Sequence, residues 1–157
     1  MLFALYNGAV AQSSVTTFIL IRHAEKVLDK SDDPPLSPEG EVLAKMLISV
    51  LKKTKIDAIY STRFKRTMST VSPLATSKGL DVKVYEPFKD TPIEEILKKH
   101  PGGTIVISGH SNSIPWIANL LLGKKEFEDF NEDDYGNMLI VDVVTKGKVA
   151  KVTWLRY

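Results

Sequence analysis

The chain holds only three histidines, and two of them occupy matching places at the ends of apolar runs. In "TTFILIRHAEK" (16–26) the run Thr17–Ile21 gives way to Arg22 and His23. In "TIVISGHSN" (104–112) a second run gives way to His110, Ser111 and Asn112. Between them, "IDAIYSTRFKR" passes Ser61 and adds Arg63, Lys65 and Arg66, and "LDVKVYE" ends in Glu86. Two imidazoles, at least two guanidiniums and a carboxylate brought to one edge form a set that handles phosphate. Arginine forks match phosphate oxygens bidentately. A neutral imidazole is a competent nucleophile towards phosphorus, and neighbouring cations disfavour imidazolium, keeping the ring free near neutral pH. A helix beginning near Asn112 adds backbone N–H groups and the positive end of its dipole.

The elements that must gather these groups are legible as strands and helices. Residues 17–21 and 104–109 are short, continuous and rich in β-branched or aromatic side chains, which predicts fully buried strands. Residues 56–61 read as another, and 80–86 alternate like a strand. Ser37 is placed as the N-cap of a helix with Pro38 at its first position and Glu39 in its first turn. Leu43, Met46, Leu47, Val50 and Leu51 are expected to form its buried face. A second helix follows Arg63, is expected to break or shift near Pro73, and closes at Gly79. Residues 91–100 form a short amphipathic helix and 112–123 another, with Ile114, Trp116, Ile117, Leu120 and Leu121 as its core stripe. The last twenty residues read as a hairpin turning at Lys146-Gly147. Strands alternating with helices predict one α/β domain over 15–157. It should be a three-layer α/β/α sandwich, its central sheet mainly parallel with an antiparallel C-terminal edge hairpin. In such open sheets ligands bind beyond the carboxyl ends of the strands, where Arg22, His23, Arg63, Lys65, Arg66, Glu86 and His110 fall.

Composition narrows the chemistry further. A net charge of +2 is too small to argue for wholesale nucleic-acid or membrane binding. The absence of cysteine excludes disulfides, thiolate metal sites and cysteine nucleophiles. No apolar run approaches the roughly 20 residues that span a bilayer. Residues 1–14, "MLFALYNGAVAQSS", read as the back half of an export signal with an A-x-A cleavage site at Ala9-Val10-Ala11. That predicts a periplasmic or secreted protein; the alternative is an ordinary N-terminal segment and a cytoplasmic one.

With these motifs in place, the chain resembles the histidine phosphatase (phosphoglycerate mutase-like) superfamily, branch 1. "RHAEK" resembles its Arg-His-Gly-Glu motif, "YSTRFKRTMSTV" its second-arginine segment and "VISGHSNSIP" its second-histidine segment. The lack of long insertions between the third strand and His110 resembles the short phosphohistidine-phosphatase type, SixA-like, more than a mutase. The resemblance implies a phosphohistidine intermediate on His23, with Arg22, Arg66 and His110 binding the phosphoryl group. It places Arg66 rather than Arg63 at the phosphate, and Asn112 near it. It also implies a carboxylic acid that protonates the leaving oxygen and then activates water; Glu86 fits that position, with Asp90 close by, and the shortest members need not have a dedicated acid. No metal or other cofactor is implied. Ala24 stands where the family usually has glycine.

Other groups are weighed against plainer roles. Ser111 and Arg63 are candidate substrate contacts, although Arg63 and Lys65 read more readily as surface charges than as ligands. His100, at a helix end in "KKHPGG", is a dipole-capping residue. "EFEDFNEDD" lacks EF-hand spacing and reads as a solvated acidic loop. Expected partners are a small phosphorylated metabolite or a phosphoprotein, and phosphate, sulfate or vanadate in the pocket. The other readings are a mutase-type phosphotransferase and an inactive phosphate-binding module.

Overall fold

The computed structural model describes residues 14–157. The expected export segment lies outside the described residues apart from Ser14. A six-stranded sheet runs β3-β2-β4-β1-β5-β6, built from β1 (Thr16–Arg22), β2 (Ala58–Ser61), β3 (Val82–Val84), β4 (Thr104–Gly109), β5 (Asn137–Thr145) and β6 (Val149–Arg156). β1 to β4 are parallel; β5 and β6 add the antiparallel hairpin at the edge. Helices α1 (Pro38–Val50) and α2 (Lys65–Lys78) cover one face, where Leu47, Leu51, Val71 and Leu74 meet Ile19, Ile21, Ile59 and Val106. α3 (Asp90–Lys99) and α4 (Ser113–Leu122) cover the other, where Ile93, Ile96, Ile114 and Ile117 meet Phe18, Leu20, Ile105 and Ile107. Strand residues of alternating parity feed the two cores, as a sheet buried on both faces requires. The three-layer α/β fold is the expected one.

Three local expectations need correcting. Ser37 does cap α1, its hydroxyl accepting from the Gly40 N–H at 3.0 Å, but Met46 and Val50 are exposed. The buried face is instead Gly40, Ala44, Leu47 and Leu51. Those four keep the 3.6-residue spacing, and a face that includes them turns Met46 and Val50 outward. α2 runs unbroken through Pro73. The residue one turn earlier, Ser69, is exposed, so water serves the carbonyl that proline cannot. Finally, β3 is only three residues long, and Tyr85 and Glu86 continue as irregular chain.

Candidate active site

The sheet register builds the site. Arg22 pairs with Gly109 across β1 and β4, so the next residue in each strand, His23 and His110, must emerge side by side. The His23 N–H donates to the Gly109 carbonyl at 2.9 Å, and the two rings lie 5.5 Å apart, edge to face. Ser61 pairs with Ser108 on the far side of β4, which delivers Thr62 and the start of α2 to the same edge. Together His23, Arg66, His110, Ser111 and Asn112 line one cavity of about 310 Å³, with Lys26, Phe64, Pro87, Phe88 and Glu132 completing its wall.

His23 is locked by its backbone. Its Nδ1 lies 2.8 Å from the Ala24 carbonyl oxygen; a carbonyl only accepts, so Nδ1 carries the proton and Nε2 the free lone pair. The Ala24 N–H in turn donates to Thr70 Oγ1 on α2 at 2.9 Å. Ala24 is wholly buried, and the next residue touches α1: a Cβ on Gly40 would stand 2.0 Å from the Glu25 carbonyl oxygen. Burial, with help from His110, Arg22 and Arg66, pushes the His23 imidazole down to about 3. The ring is neutral, with a free lone pair on Nε2.

His110 is oriented through hydroxyls. Thr67 Oγ1 donates to a carbonyl of its own turn, at 2.8 Å to Phe64 and 3.0 Å to Thr62. It therefore accepts from Thr62 Oγ1, 2.8 Å away, and Thr62 accepts from His110 Nε2–H at 3.0 Å. This one-way chain leaves Nδ1 of His110 as an acceptor facing Arg66 Nη2, 3.5 Å off. Burial first, then Arg66 and Arg22, pushes His110 down to about 4.

Arg66 is the open cation of the pocket. Its Nε and Nη1 are buried without hydrogen-bond partners, its guanidinium carbon sits 4.6 Å over Phe64, and Asp33 Oδ1 lies 3.7 Å from Nη1. Asp33 also accepts the Lys65 N–H at 2.9 Å, so one carboxylate caps α2 and aims its arginine. Buried donors left over by the protein are donors available to a ligand.

The remaining expected residues are placed differently from one another. Arg22 is wholly buried, but its donors go to loop carbonyls: Nη1 to Asn131 and to Asp134 at 2.8 Å, and Nη2 to Glu132 at 2.7 Å. Its face stacks 4.4 Å from the Tyr135 ring centre. It lends charge to the pocket while fastening the acidic loop. Glu86 pairs with Arg63 on the surface and lines a neighbouring cavity with Tyr60, Lys83 and Lys99, not the one around His23. Asp90 lies 4.0 Å from Lys146. His100 caps α3 and meets the Tyr60 hydroxyl at 3.0 Å, away from the cavity. Among the described residues, no three His, Asp or Glu side chains gather where they would hold a metal ion, and no helix is long and apolar enough to cross a membrane.

Sequence reasoning passed over Thr62, Asp33, Phe64, Phe88 and Glu132. Thr62 carried a signal, since it immediately follows a buried strand at the same edge. The others arrive from loops, whose spacing says nothing about where they fold.

Comparison with known proteins agrees with this arrangement. A curated relative, phosphoserine phosphatase 1 of Hydrogenobacter thermophilus, is 33% identical over 97 residues, 53% of this chain and 46% of the relative. The chain thus aligns with about half the length of that relative. Among solved structures, a mycobacterial glucosyl-3-phosphoglycerate phosphatase matches with a TM-score of 0.72 at 14% identity, over 90% of this chain and 99% of the other. The protein histidine phosphatase SixA, complexed with tungstate, matches with 0.71 at 15% identity, over 89% and 96%. At those identities the structures speak to the fold. Residues 18–92, just under half of the chain, include the Arg-His motif, the Arg66 segment and the chain as far as α3, and they match the sequence model of the histidine phosphatase superfamily, branch 1.

Proposed function

We propose that the protein is a phosphatase that hydrolyses phosphomonoesters, or phosphohistidine, through a covalent phosphohistidine on His23 Nε2. The observation that carries this reading is the tautomer lock: the Ala24 carbonyl holds the proton on Nδ1 and leaves Nε2 free in the cavity shared with Arg66 and His110. Attack by Nε2 on phosphorus breaks the bond to the leaving oxygen, and water then breaks the N–P bond in a second displacement. Arg66, with two unpartnered buried nitrogens, supplies donors to the equatorial oxygens as charge develops. The N-terminal end of α4, at Ser111 and Asn112, adds its dipole. The incoming phosphoryl charge favours protonation of His110 at Nδ1, which converts an acceptor into a second donor. The names of the relatives, all phosphatases, support the same class of reaction.

The test is direct. With 4-nitrophenyl phosphate and chelator present, the wild type should turn over, be inhibited by vanadate, and yield an acid-labile, base-stable phosphoenzyme on quenching. His23→Ala should lose the phosphoenzyme and about 10⁴-fold or more of kcat. Turnover that survives His23→Ala would overturn the mechanism. Vanadate binding without turnover on a broad substrate panel would overturn the activity.

A further inference from the structure

A phosphomonoester with a poor leaving group needs a proton at the departing oxygen, and neither imidazole is placed to give one. His23 spends Nε2 on phosphorus and keeps its Nδ1 proton on the Ala24 carbonyl, and His110 turns Nδ1 towards Arg66 on the phosphoryl side. Glu86 is tied to Arg63 and faces another cavity. One carboxyl does line the cavity of His23 and His110, that of Glu132, on the loop between α4 and β5. The chain around it is pinned on both sides. Upstream, Phe130 is buried in the core and its N–H donates to the Ser111 carbonyl at 2.9 Å. Downstream, the Asp134 carbonyl accepts from the buried Arg22, which also holds the carbonyls of Asn131 and Glu132 itself. The Ser111 hydroxyl donates to Glu132 Oε1 at 3.2 Å, and Oε2 stands 4.0 Å from Arg22 Nη2. A carboxylate on so fixed a backbone, at the mouth of the phosphoryl pocket, is preorganised for chemistry.

The geometry points to Glu132 as the general acid and base of the reaction, an assignment that rests on the phosphatase reading above. In the first step its carboxyl proton passes to the leaving oxygen as the O–P bond breaks and the Nε2–P bond forms. In the second its carboxylate takes a proton from water as the new O–P bond forms and the Nε2–P bond breaks. The products are the alcohol and orthophosphate, and the carboxyl is restored.

The assignment is tested with aryl phosphates whose phenols span a range of pKa, from dinitrophenyl to unsubstituted phenyl, measured as kcat/KM. The Glu132 side chain is 78% exposed, so Glu132→Gln leaves the core intact, which circular dichroism checks. Glu132→Gln should cost roughly 10²-fold on phenyl phosphate and under about threefold on the dinitrophenyl ester, steepening the dependence on leaving-group pKa. Glu86→Gln should lower both equally or not at all. Equal losses across the series in Glu132→Gln, no loss, or a steepened dependence in Glu86→Gln instead would overturn the assignment. If His23→Ala keeps wild-type turnover, the phosphohistidine mechanism proposed above fails; the leaving-group series in Glu132→Gln is what decides this assignment.

Discussion

The pocket has two halves built in different ways. Its floor, His23, His110 and the Thr62–Thr67 hydroxyls, comes from the carboxyl ends of β1, β4 and β2. There the sheet register and backbone carbonyls dictate where each atom points. Its rim, Lys26, Pro87, Phe88 and Glu132, comes from loops outside the strand ladder. The floor fixes the reaction because hydrogen bonds to backbone set tautomer and orientation at once. Of the rim, Glu132 is the group proposed for chemistry, and Lys26, Pro87 and Phe88 are walls whose side chains can change without disturbing the ladder. Damage to the floor should therefore strike folding and chemistry together, and damage to the rim should separate them.

The heaviest blow to the floor comes from outside the cavity. Gly40→Ala would drive a Cβ to 2.0 Å from the Glu25 carbonyl oxygen and 2.9 Å from its carbon, both backbone atoms that cannot swing aside. α1 or the chain after His23 must shift, at a cost of about 3 kcal/mol. Chemical denaturation should show that loss. Because Ala24 next door holds His23, kcat should fall as well. Unchanged stability would mean the two segments are less tightly fixed than the floor requires.

The second effect is pH. A folded-state pKa of about 3 for His23 lies below the roughly 6.5 of an unfolded imidazole. Between these values the unfolded chain binds a proton that the folded one refuses, so stability falls as pH drops below 6.5 and is fully present above it. From pH 7 to 5 the loss attributable to His23 is about 2 kcal/mol, and His110, held at about 4, adds in the same direction. Thermal melts of wild type and His23→Ala across that range should show the variant losing less. Catalysis should behave oppositely: with Nε2 already free, kcat/KM on an activated aryl phosphate should not drop from pH 7 to 5 as a titrating histidine nucleophile would make it.

A smaller effect tests the hydroxyl chain. Thr62→Val keeps shape but removes the acceptor of His110 Nε2–H, which frees the ring to turn and leaves a donor poorly paired. About a tenfold fall in kcat/KM is expected, with Thr62→Ser restoring most of it. A valine variant as active as the wild type would show that the ring is held by packing against Phe64, 5.0 Å away.

The same division explains what could be read from the sequence. Apolar runs marked β1, β2 and β4, and parallel register turned "one residue past the strand" into a shared location, so His23 and His110 were legible together. Placement after β2 offered Arg63, Lys65 and Arg66 alike, and only the family resemblance singled out Arg66. The roles of Arg22 and Glu86 depend on direction. Arg22 sits at the right strand end, yet its guanidinium turns to three loop carbonyls far along the chain. Glu86 follows a strand that stops two residues short of it. Once the ladder ends, a side chain's bearing is set by neighbours that spacing cannot identify. Asp33 and Glu132 reach the site by that kind of contact. Met46 and Val50 failed for a related reason, since a helical period fixes which residues share a face but leaves the inward face to the partner.

The subtlest prediction concerns the rim alone. Phe88 is the one non-glycine residue among those described with a positive φ, at 58°, and it follows Pro87. That is the pattern of a type II turn, whose third position normally takes glycine. Holding a phenylalanine there costs about 1 kcal/mol. Its return is a half-exposed ring that lines the cavity and meets Trp116 edge to face, centres 5.7 Å apart. Such a contact contributes about 0.5–1.5 kcal/mol, so strain and packing nearly cancel. Phe88→Gly should therefore change stability by less than about 1 kcal/mol. Phe88→Ala keeps the strain and loses the ring, so it should be the less stable of the two. Both should raise KM for aryl phosphates severalfold with kcat little changed, because a ring at the mouth binds substrate and transition state alike. If kcat falls and KM holds, Phe88 belongs with the floor, and the boundary between chemistry and selection lies further out than the sheet register implies.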